Sequence, residues 1–129
     1  MNVFLEPSPV RKRELHGRLT AALPQWFGLP TTNAKYSMLT EILDGYIAES
    51  DGVRRGLLLL KYHSPMSAEV YWIGVDPAYH RQGMGRALMD AAINDACTRG
   101  IRYLFVATLH PDVQYEPFFR TRRGLRVRP

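Results

Sequence analysis

A strand, a glycine-containing turn, a helix and a second strand follow one another over residues 68–109, and this run constrains the fold most. The segment AEVYWIGV (68–75) is rich in β-branched and aromatic residues, which favour strands. Gly83 to Arg99 reads as a helix terminated by Gly100, and RYLFVATL (102–109) follows after a very short link. Two strands joined through a helix in this way run parallel, with a right-handed crossover. The pattern predicts an α/β fold.

A hairpin is predicted ahead of this run. GYIAES (45–50) and VRRGLLLLKYH (53–63) read as strands joined by Asp51-Gly52, a strong turn signal because glycine accepts positive φ. NVFL (2–5) predicts a short first strand. Arg11 to Leu23 carries apolar residues at helical spacing.

A second short helix is expected before the hairpin, with Thr31 or Thr32 as its N-cap. Its apolar positions would be Tyr36, Leu39, Ile42 and Leu43. The predicted order is therefore β, α, α, β, β, β, α, β, in a mixed sheet flanked by helices. With no repeat and no long linker, residues 1–129 are expected to form one domain.

Composition excludes several classes of protein. No window approaches 18 apolar residues, so a transmembrane helix is not expected, and the N-terminus lacks the order of a signal peptide. The single cysteine, Cys97, cannot form an internal disulfide, and such cysteine usage is typical of a reducing cytoplasm. Cys97 itself is expected in the core. No cluster of His, Cys and Asp has metal-ligand spacing, so no metal is expected.

The net charge of +5 comes from the end of the chain. RTRRGLRVRP (120–129) holds five arginines and no acidic residue, and the remaining 12 basic residues balance 12 acidic ones. A basic tail on a neutral body is usually solvated, so residues 120–129 are expected to be poorly ordered. Nucleic-acid binding is not the expected role.

Gly83 and Gly85 lie where the strand gives way to the helix. The first N–H groups of a helix lack partners and the helix dipole is positive there, so an anion is favoured. Arg81 and Arg86 add cationic donors suited to phosphate. A P-loop would need a Lys-Ser or Lys-Thr pair and a dinucleotide motif a third glycine, and both are missing here. The alternative is a tight turn without a ligand.

VDPAYHRQGMGRALM (75–89) resembles the acyl-CoA loop of the GNAT superfamily of N-acetyltransferases, commonly written [QR]-x-x-G-x-[GA]. Val75, Pro77, Gly83 and Gly85 match, whereas His80 stands where Gln or Arg is usual. The resemblance implies a mostly antiparallel, twisted, mixed sheet flanked by helices. It covers residues 45–109 well and the first 40 residues only in outline.

The resemblance also implies a cofactor and a reaction. Acetyl-CoA would act as co-substrate, and its acetyl group would pass directly to an amine without a covalent enzyme intermediate. The pantetheine arm would lie along Ile73, Gly74 and Val75. The pyrophosphate would lie on the amides of Arg81, Gln82, Gly83, Met84, Gly85 and Arg86.

Amine acetylation needs a base, because an alkylammonium must lose a proton before it attacks. Glu69 is favoured, since similar proteins often carry a glutamate at this place in the strand. Simple alternation would put Glu69 on one face with Tyr71, Ile73 and Val75. His63 and His110 are alternative bases, and Glu69 as a merely solvated strand-end residue also stays open.

The expected acid is less clear from the sequence. The family usually carries Phe-Tyr in a last helix, whereas this chain has Phe118-Phe119, which leaves Tyr115 to supply a hydroxyl. The chain stops at Pro129, where two further strands would be usual, so a truncated C-terminus is one explanation. The sheet is then expected to end at RYLFVATL (102–109), with an open edge that a homodimer would cover.

Two functions stay in play. The first is acetyl-CoA-dependent N-acetyl transfer to a small-molecule or protein amine. The second is an acyl-CoA-binding module with little or no catalysis. The sequence does not name the acceptor. In similar proteins the region between the first two helices helps to form the acceptor pocket, which the resemblance implies would here be lined by Trp26, Phe27, Tyr36 and Trp72. Trp26 and Phe27 as core residues are the alternative.

Overall fold

A computed structural model describes residues 1–23 and 39–106 of the chain, together with the backbone of residues 125–126. In chain order the elements are β1 (Asn2–Glu6), α1 (Pro9–Ala22), β2 (Asp44–Ser50), β3 (Val53–Ser64), β4 (Ser67–Val75), α2 (Met84–Thr98), β5 (Tyr103–Val106) and β6 (Leu125–Arg126). One turn of 3-10 helix, Pro77–Tyr79, lies between β4 and α2. Neither α1 nor α2, the helices of the described ranges, is long and apolar enough to cross a membrane.

The six strands of the described residues form one sheet in the order β1-β2-β3-β4-β5-β6. Neighbours are antiparallel except β4 and β5, which are parallel and connected through α2. The predicted mixed, mostly antiparallel sheet flanked by helices is thus confirmed. The predicted hairpin turn is also present, with positive φ at Asp51 (54°) and Gly52 (75°).

Local sequence explains where the helices begin and end. Ser8 caps α1, because its hydroxyl accepts a hydrogen bond from the Arg11 N–H at 3.3 Å and Pro9 suits the first helical position. Gly100, with φ of 83°, ends α2 as predicted. Of the predicted second helix, Leu39 and Thr40 are helical, whereas Ile42 and Leu43 lie in the turn that follows. Tyr36 and both candidate caps lie outside the described residues.

Helices pack on both faces of the sheet, and the run Leu57–Leu60 supplies both cores. Successive strand side chains point to opposite faces, so Leu57 and Leu59 contact α1 while Leu58 and Leu60 contact α2. All four are at most 1% exposed. The unbroken apolar run is therefore the mark of a strand covered on both faces.

A bulge divides β4 into two halves. Leu59 lies opposite Trp72 and Leu60 opposite Val70, so Tyr71 is an extra residue in the ladder. We call Ser67–Val70 the closed half, because β3 and β5 both pair with it. Tyr71–Val75 is the open half, which within the described residues pairs only with β3.

The bulge overturns the prediction that one face of β4 carries Glu69, Tyr71, Ile73 and Val75. An extra residue reverses a period-two alternation. Val70 in the closed half and Ile73 and Val75 in the open half all pack towards α2, whereas Tyr71 packs towards α1. Glu69, flanked by the α2-facing Ala68 and Val70, shares the α1 face with Tyr71.

The sheet does not end at β5. The backbone of β6 runs antiparallel to it, with Arg126 opposite Tyr103 and Leu125 opposite Leu104. The expectation that RYLFVATL forms an open edge is therefore wrong at Tyr103 and Leu104. The other positions of the arginine-rich segment 120–129 lie outside the described residues. Tyr115, His110 and Phe118-Phe119 also lie outside them.

Candidate functional site

The segment between β4 and α2 is held against β3. The Asp76 N–H donates to the Arg55 carbonyl at 2.7 Å, and the Arg55 guanidinium donates to the Asp76 carboxylate at 3.1 Å. That guanidinium also lies 4.7 Å from the centre of the Tyr79 ring. Asp76 in addition accepts from the Ala78 N–H at 3.0 Å and starts the 3-10 turn. The loop is therefore anchored before it reaches the helix.

The N-terminus of α2 presents backbone donors. Gly83 is the N-cap, and no side chain caps the helix. The first helical bond is donated by Ala87 to the Gly83 carbonyl, so the N–H groups of Met84, Gly85 and Arg86 have no acceptor within the helix. Together with the positive end of the helix dipole, these amides favour an anion.

Two backbone conformations shape this loop. Gly83 has a φ of 82°, and Arg81 has a φ of 63°, which is costly for a residue with a Cβ. A Cβ built on Gly83 meets no atom of the protein within 4 Å and projects into open space. Glycine at this position therefore keeps clear the space above the amides. The side chains of Arg81, Gln82 and Arg86, in the same loop and the first turn of the helix, are exposed.

The open half of β4 presents a backbone edge next to these amides. Because Asp76 bonds to Arg55 across the ladder, the antiparallel alternation turns the N–H and C=O groups of Ile73 and Val75 away from β3. They point to the side where β5 pairs only with the closed half. The predicted donor-binding residues Ile73 and Val75 thus face a slot in the described part of the sheet, whereas Gly74 bonds to β3.

His80 enters this slot from the loop. Its Nε2 lies 2.7 Å from the Val75 carbonyl oxygen, to which it donates. The Gln82 side-chain amide donates to the Ala78 carbonyl at 3.2 Å. His80, which stands where the family motif usually has Gln or Arg, therefore contacts the edge of the open half.

Glu69 and His63, which the sequence offered as alternative bases, form a pair. Glu69 Oε1 lies 2.7 Å from His63 Nε2, and their side chains are 21% and 42% exposed. Glu69 lies opposite Lys61 on β3 and opposite Phe105 on β5. The pair is therefore next to the bulge, on the α1 face, where both neighbouring strands meet the closed half.

Two aromatic side chains near this pair were missed. Leu104 packs towards α2, so Tyr103 and Phe105 lie on the α1 face, where they are 44% and 54% exposed. The alternation of aromatic and aliphatic residues in RYLFV was the available signal. Of the aromatic residues predicted to line an acceptor pocket, Trp72 is 3% exposed within the α1-side core, and Trp26, Phe27 and Tyr36 lie outside the described residues.

Burial shifts the pKa of two other titratable side chains near the sheet. Burial lowers the pKa of His16 to about 4, so this ring, whose centre lies 4.7 Å from that of Trp72, is neutral at neutral pH. Burial, followed by its 2.6 Å hydrogen bond to Asp95, raises the pKa of Tyr46. Across residues 1–23 and 39–106, no group of three or more His, Cys, Asp or Glu side chains is placed to hold a metal ion.

The comparisons with known proteins agree with this geometry. The model of the acetyltransferase (GNAT) family matches residues 16–125, and the chain belongs to that family. No curated protein sequence matches significantly.

Solved structures show the same fold at low sequence identity. A GNAT-family protein from Desulfovibrio desulfuricans is 20% identical, with a TM-score of 0.77 over 93% of this chain and 80% of the other. The ribosomal-protein-S18-alanine N-acetyltransferase of Escherichia coli is 19% identical, with a TM-score of 0.67 over 81% and 66%. An aminoglycoside 6'-N-acetyltransferase solved with coenzyme A is 14% identical, with a TM-score of 0.63 over 84% and 62%.

Proposed function

We propose that the protein transfers an acetyl group from acetyl-CoA directly to a primary amine of a small molecule or a protein. The observation that carries this proposal is the junction of two features of the described residues: amides without a side-chain cap at the start of α2, and the adjoining edge of the open half, which has no strand partner there. The first suits a pyrophosphate and the second suits an amide-containing arm. Family membership supports the same reading.

The donor would follow these two features in order. Its pyrophosphate would accept hydrogen bonds from the amides of Arg81–Arg86, with the two arginine side chains adding charge. Its pantetheine arm would pair with the outward backbone groups of Ile73 and Val75, as an added strand does. His80 would then share the Val75 carbonyl with that arm or leave it. The thioester would arrive near the bulge at Tyr71.

The reaction needs two proton movements. The acceptor ammonium loses one proton to Glu69, and its lone pair then attacks the thioester carbonyl, so that an N–C bond forms and the C–S bond breaks. The amine's second proton leaves with the thiolate, which departs as the thiol. Tyr115, the predicted acid, lies outside the described residues; it would relay that proton by giving its own to the thiolate and taking up the amine's second proton in exchange.

The acceptor belongs to the class of amines that relatives use. The names of two structural neighbours specify a ribosomal-protein alanine and an aminoglycoside. Glu69 and the exposed rings of Tyr103 and Phe105 would receive such an amine, since carboxylates and aromatic faces both attract cations. A cytoplasmic location and a homodimer are part of the same proposal.

Calorimetric titration with acetyl-CoA tests the donor site. We expect the native protein to bind and the Gly83→Val/Gly85→Val variant not to bind, because the added side chains fill the space above the amides. Gly52→Val is the matched control, since Gly52 also has a positive φ with open space around it but lies in the β2–β3 turn. Its binding should match the native protein.

Three outcomes separate the functions. Binding followed by acetylation of an amine in an acceptor screen supports the transferase. Binding without transfer to any amine supports an acyl-CoA-binding module. No binding by the native protein contradicts both and leaves the glycine loop as a turn.

A further inference from the structure

The hairpin between β3 and β4 contains an irregularity at His63. Tyr62 lies opposite Ala68 and Ser64 opposite Ser67, so the ladder passes over His63. His63 has no residue opposite it on β4 in this ladder. Its Nε2 lies 2.7 Å from Oε1 of Glu69, six residues along the chain. Hydroxyl contacts between Ser64 and Ser67 (2.8 Å) hold the turn beneath it. The pairing is therefore built into the backbone of the hairpin.

We propose that His63 is a positioning residue for Glu69 and sets the charge of the acceptor site. This inference rests on the proposed acetyl transfer, in which Glu69 takes the proton of the ammonium. His63 Nε2–H donates to Oε1 of Glu69 and leaves Oε2 for the acceptor. A third group that orients a base is a recurring arrangement in catalysis, because it holds one productive geometry.

The difference in exposure fits these roles. The Glu69 side chain is 21% exposed and that of His63 is 42% exposed. The carboxylate is thus the more sheltered partner, and the imidazole is the more exposed one. A carboxylate fixed at one oxygen, half-sheltered beside the open half, is suited to a base whose other oxygen has to meet an ammonium.

The charge of the pair depends on His63. With a neutral imidazole the pair has a charge of −1, which attracts an ammonium ion. With an imidazolium the pair has no net charge and does not attract an ammonium ion in this way. Among the described residues, the groups that face the pair are Lys61 on β3, whose ammonium lies 5.4 Å from the Tyr71 ring centre, and the uncharged Phe105 on β5.

A double-mutant cycle on kcat tests the coupling. His63→Ala should lower kcat about tenfold in the native background and less than about twofold in the Glu69→Gln background, because His63 acts through the carboxylate. His63→Gln keeps an N–H donor and should restore most of the loss at pH 8. If the His63→Ala effect is equally large in both backgrounds, His63 does not act through Glu69. If Glu69→Gln alone retains native kcat, the inference is also overturned.

The pH dependence separates positioning from a purely structural role. Native kcat/KM should fall between pH 8 and pH 5, the interval in which histidine side chains take up a proton. His63→Gln cannot take up this proton, so its profile should be flatter over the same interval. Glu14→Gln on α1, an exposed position, is the matched control and should keep the native profile. Parallel profiles for native protein and His63→Gln would contradict the role in charge.

A measurement without substrate distinguishes failure of this inference from failure of the proposed function. In nitrogen-edited proton NMR, the signal of the His63 Nε2–H proton should be visible, because the hydrogen bond slows the exchange of this proton with water. Glu69→Ala should abolish that signal. The corresponding signal of His80, bonded to the Val75 carbonyl, is the internal reference and should persist. A His63 signal unaffected by Glu69→Ala would show that the pair does not form, whatever the activity.

Discussion

The two halves of β4 differ in what surrounds them, although they belong to one strand. The closed half pairs with β3 and β5 and carries Glu69 on the α1 face. The open half pairs only with β3 among the described residues and turns Ile73 and Val75 to the α2 face. One extra residue, Tyr71, separates them. The comparison teaches that a single bulge redirects the side chains that follow it in the strand.

The division of labour follows from this geometry. Backbone groups in a fully paired strand are occupied, so only the side chains of the closed half are available for chemistry. In the open half the outward backbone groups of Ile73 and Val75 have no strand partner among the described residues, and the side chains pack into the two cores. The proposed base thus lies in the closed half, and the proposed donor site begins in the open half.

The largest expected effect comes from crowding the core behind the open half. A Cβ on Gly74 would lie 2.3 Å from Cη2 of the Trp72 indole, which is itself packed against α1. Gly74→Val should lower the free energy of unfolding by about 3 kcal/mol, because a well-packed core cannot absorb the volume. Denaturant unfolding measures it. Gly17→Val on α1, where a Cβ meets nothing within 4 Å, should change stability by less than about 0.5 kcal/mol.

Acid should weaken the same core through His16, which is 1% exposed and packs against Trp72 with the ring planes tilted by 57°. Its pKa is lowered by burial to about 4, below the ordinary 6.5, so the unfolded chain takes up the proton first. Stability is complete above pH 6.5 and falls as the pH drops towards 4. The loss should be about 2 kcal/mol between pH 7 and pH 5.

The control for this pH effect is His16→Phe, which keeps a ring against Trp72 and cannot take up a proton. Its unfolding free energy should lose about 2 kcal/mol less than that of the native protein over the same pH interval. An equal loss in both proteins would show that other groups cause the acid sensitivity.

The open edge can be tested without disturbing the ladder. Val75→Pro removes an N–H that points away from β3 and places a ring in the slot. Acetyl-CoA affinity should fall at least about tenfold, or about 1.4 kcal/mol, while the bonds between β3 and β4 are kept. Calorimetry and thermal unfolding measure the two effects. Unchanged affinity in a folded variant would mean that the donor does not use this edge.

The smallest effect is expected at Phe105, opposite Glu69 in the closed half. Phe105→Ala removes a ring that is 54% exposed, so stability should change by less than about 1 kcal/mol. If the ring receives the acceptor, KM for the amine should rise about threefold with little change in kcat. An unaltered KM for every amine that is acetylated would place the acceptor elsewhere.

Much of the fold could be predicted because its signals are local. Asp51-Gly52 predicted the hairpin turn, and Gly100 predicted the end of α2. The strand–helix–strand run predicted that β4 and β5 are parallel. The free amides at the start of α2 were also predictable, because the first N–H groups of a helix lack acceptors within it and the N-cap, Gly83, has no side chain to accept from them. These features depend on neighbouring residues in the chain.

The faces of β4 could not be predicted in the same way. Alternation places Glu69 with Ile73 and Val75, and nothing in AEVYWIGV marks Tyr71 as the extra residue. The bulge is set by the registers of β3 and β5 against β4, which are long-range choices. The pairing of His63 with Glu69 depends on a second irregularity of the same ladder. The pairing of β6 with β5 likewise joins residues more than 20 positions apart.

The sequence by itself determined the elements from β1 to β5 within the described residues, their order and the place of the glycine loop, because backbone conformation and helix capping are settled within a few residues. Only the tertiary structure decided which side chains of β4 share a face, which backbone groups stay unpaired and which histidine meets Glu69. Those choices depend on strand register, and register is fixed by packing between segments that are distant in the chain.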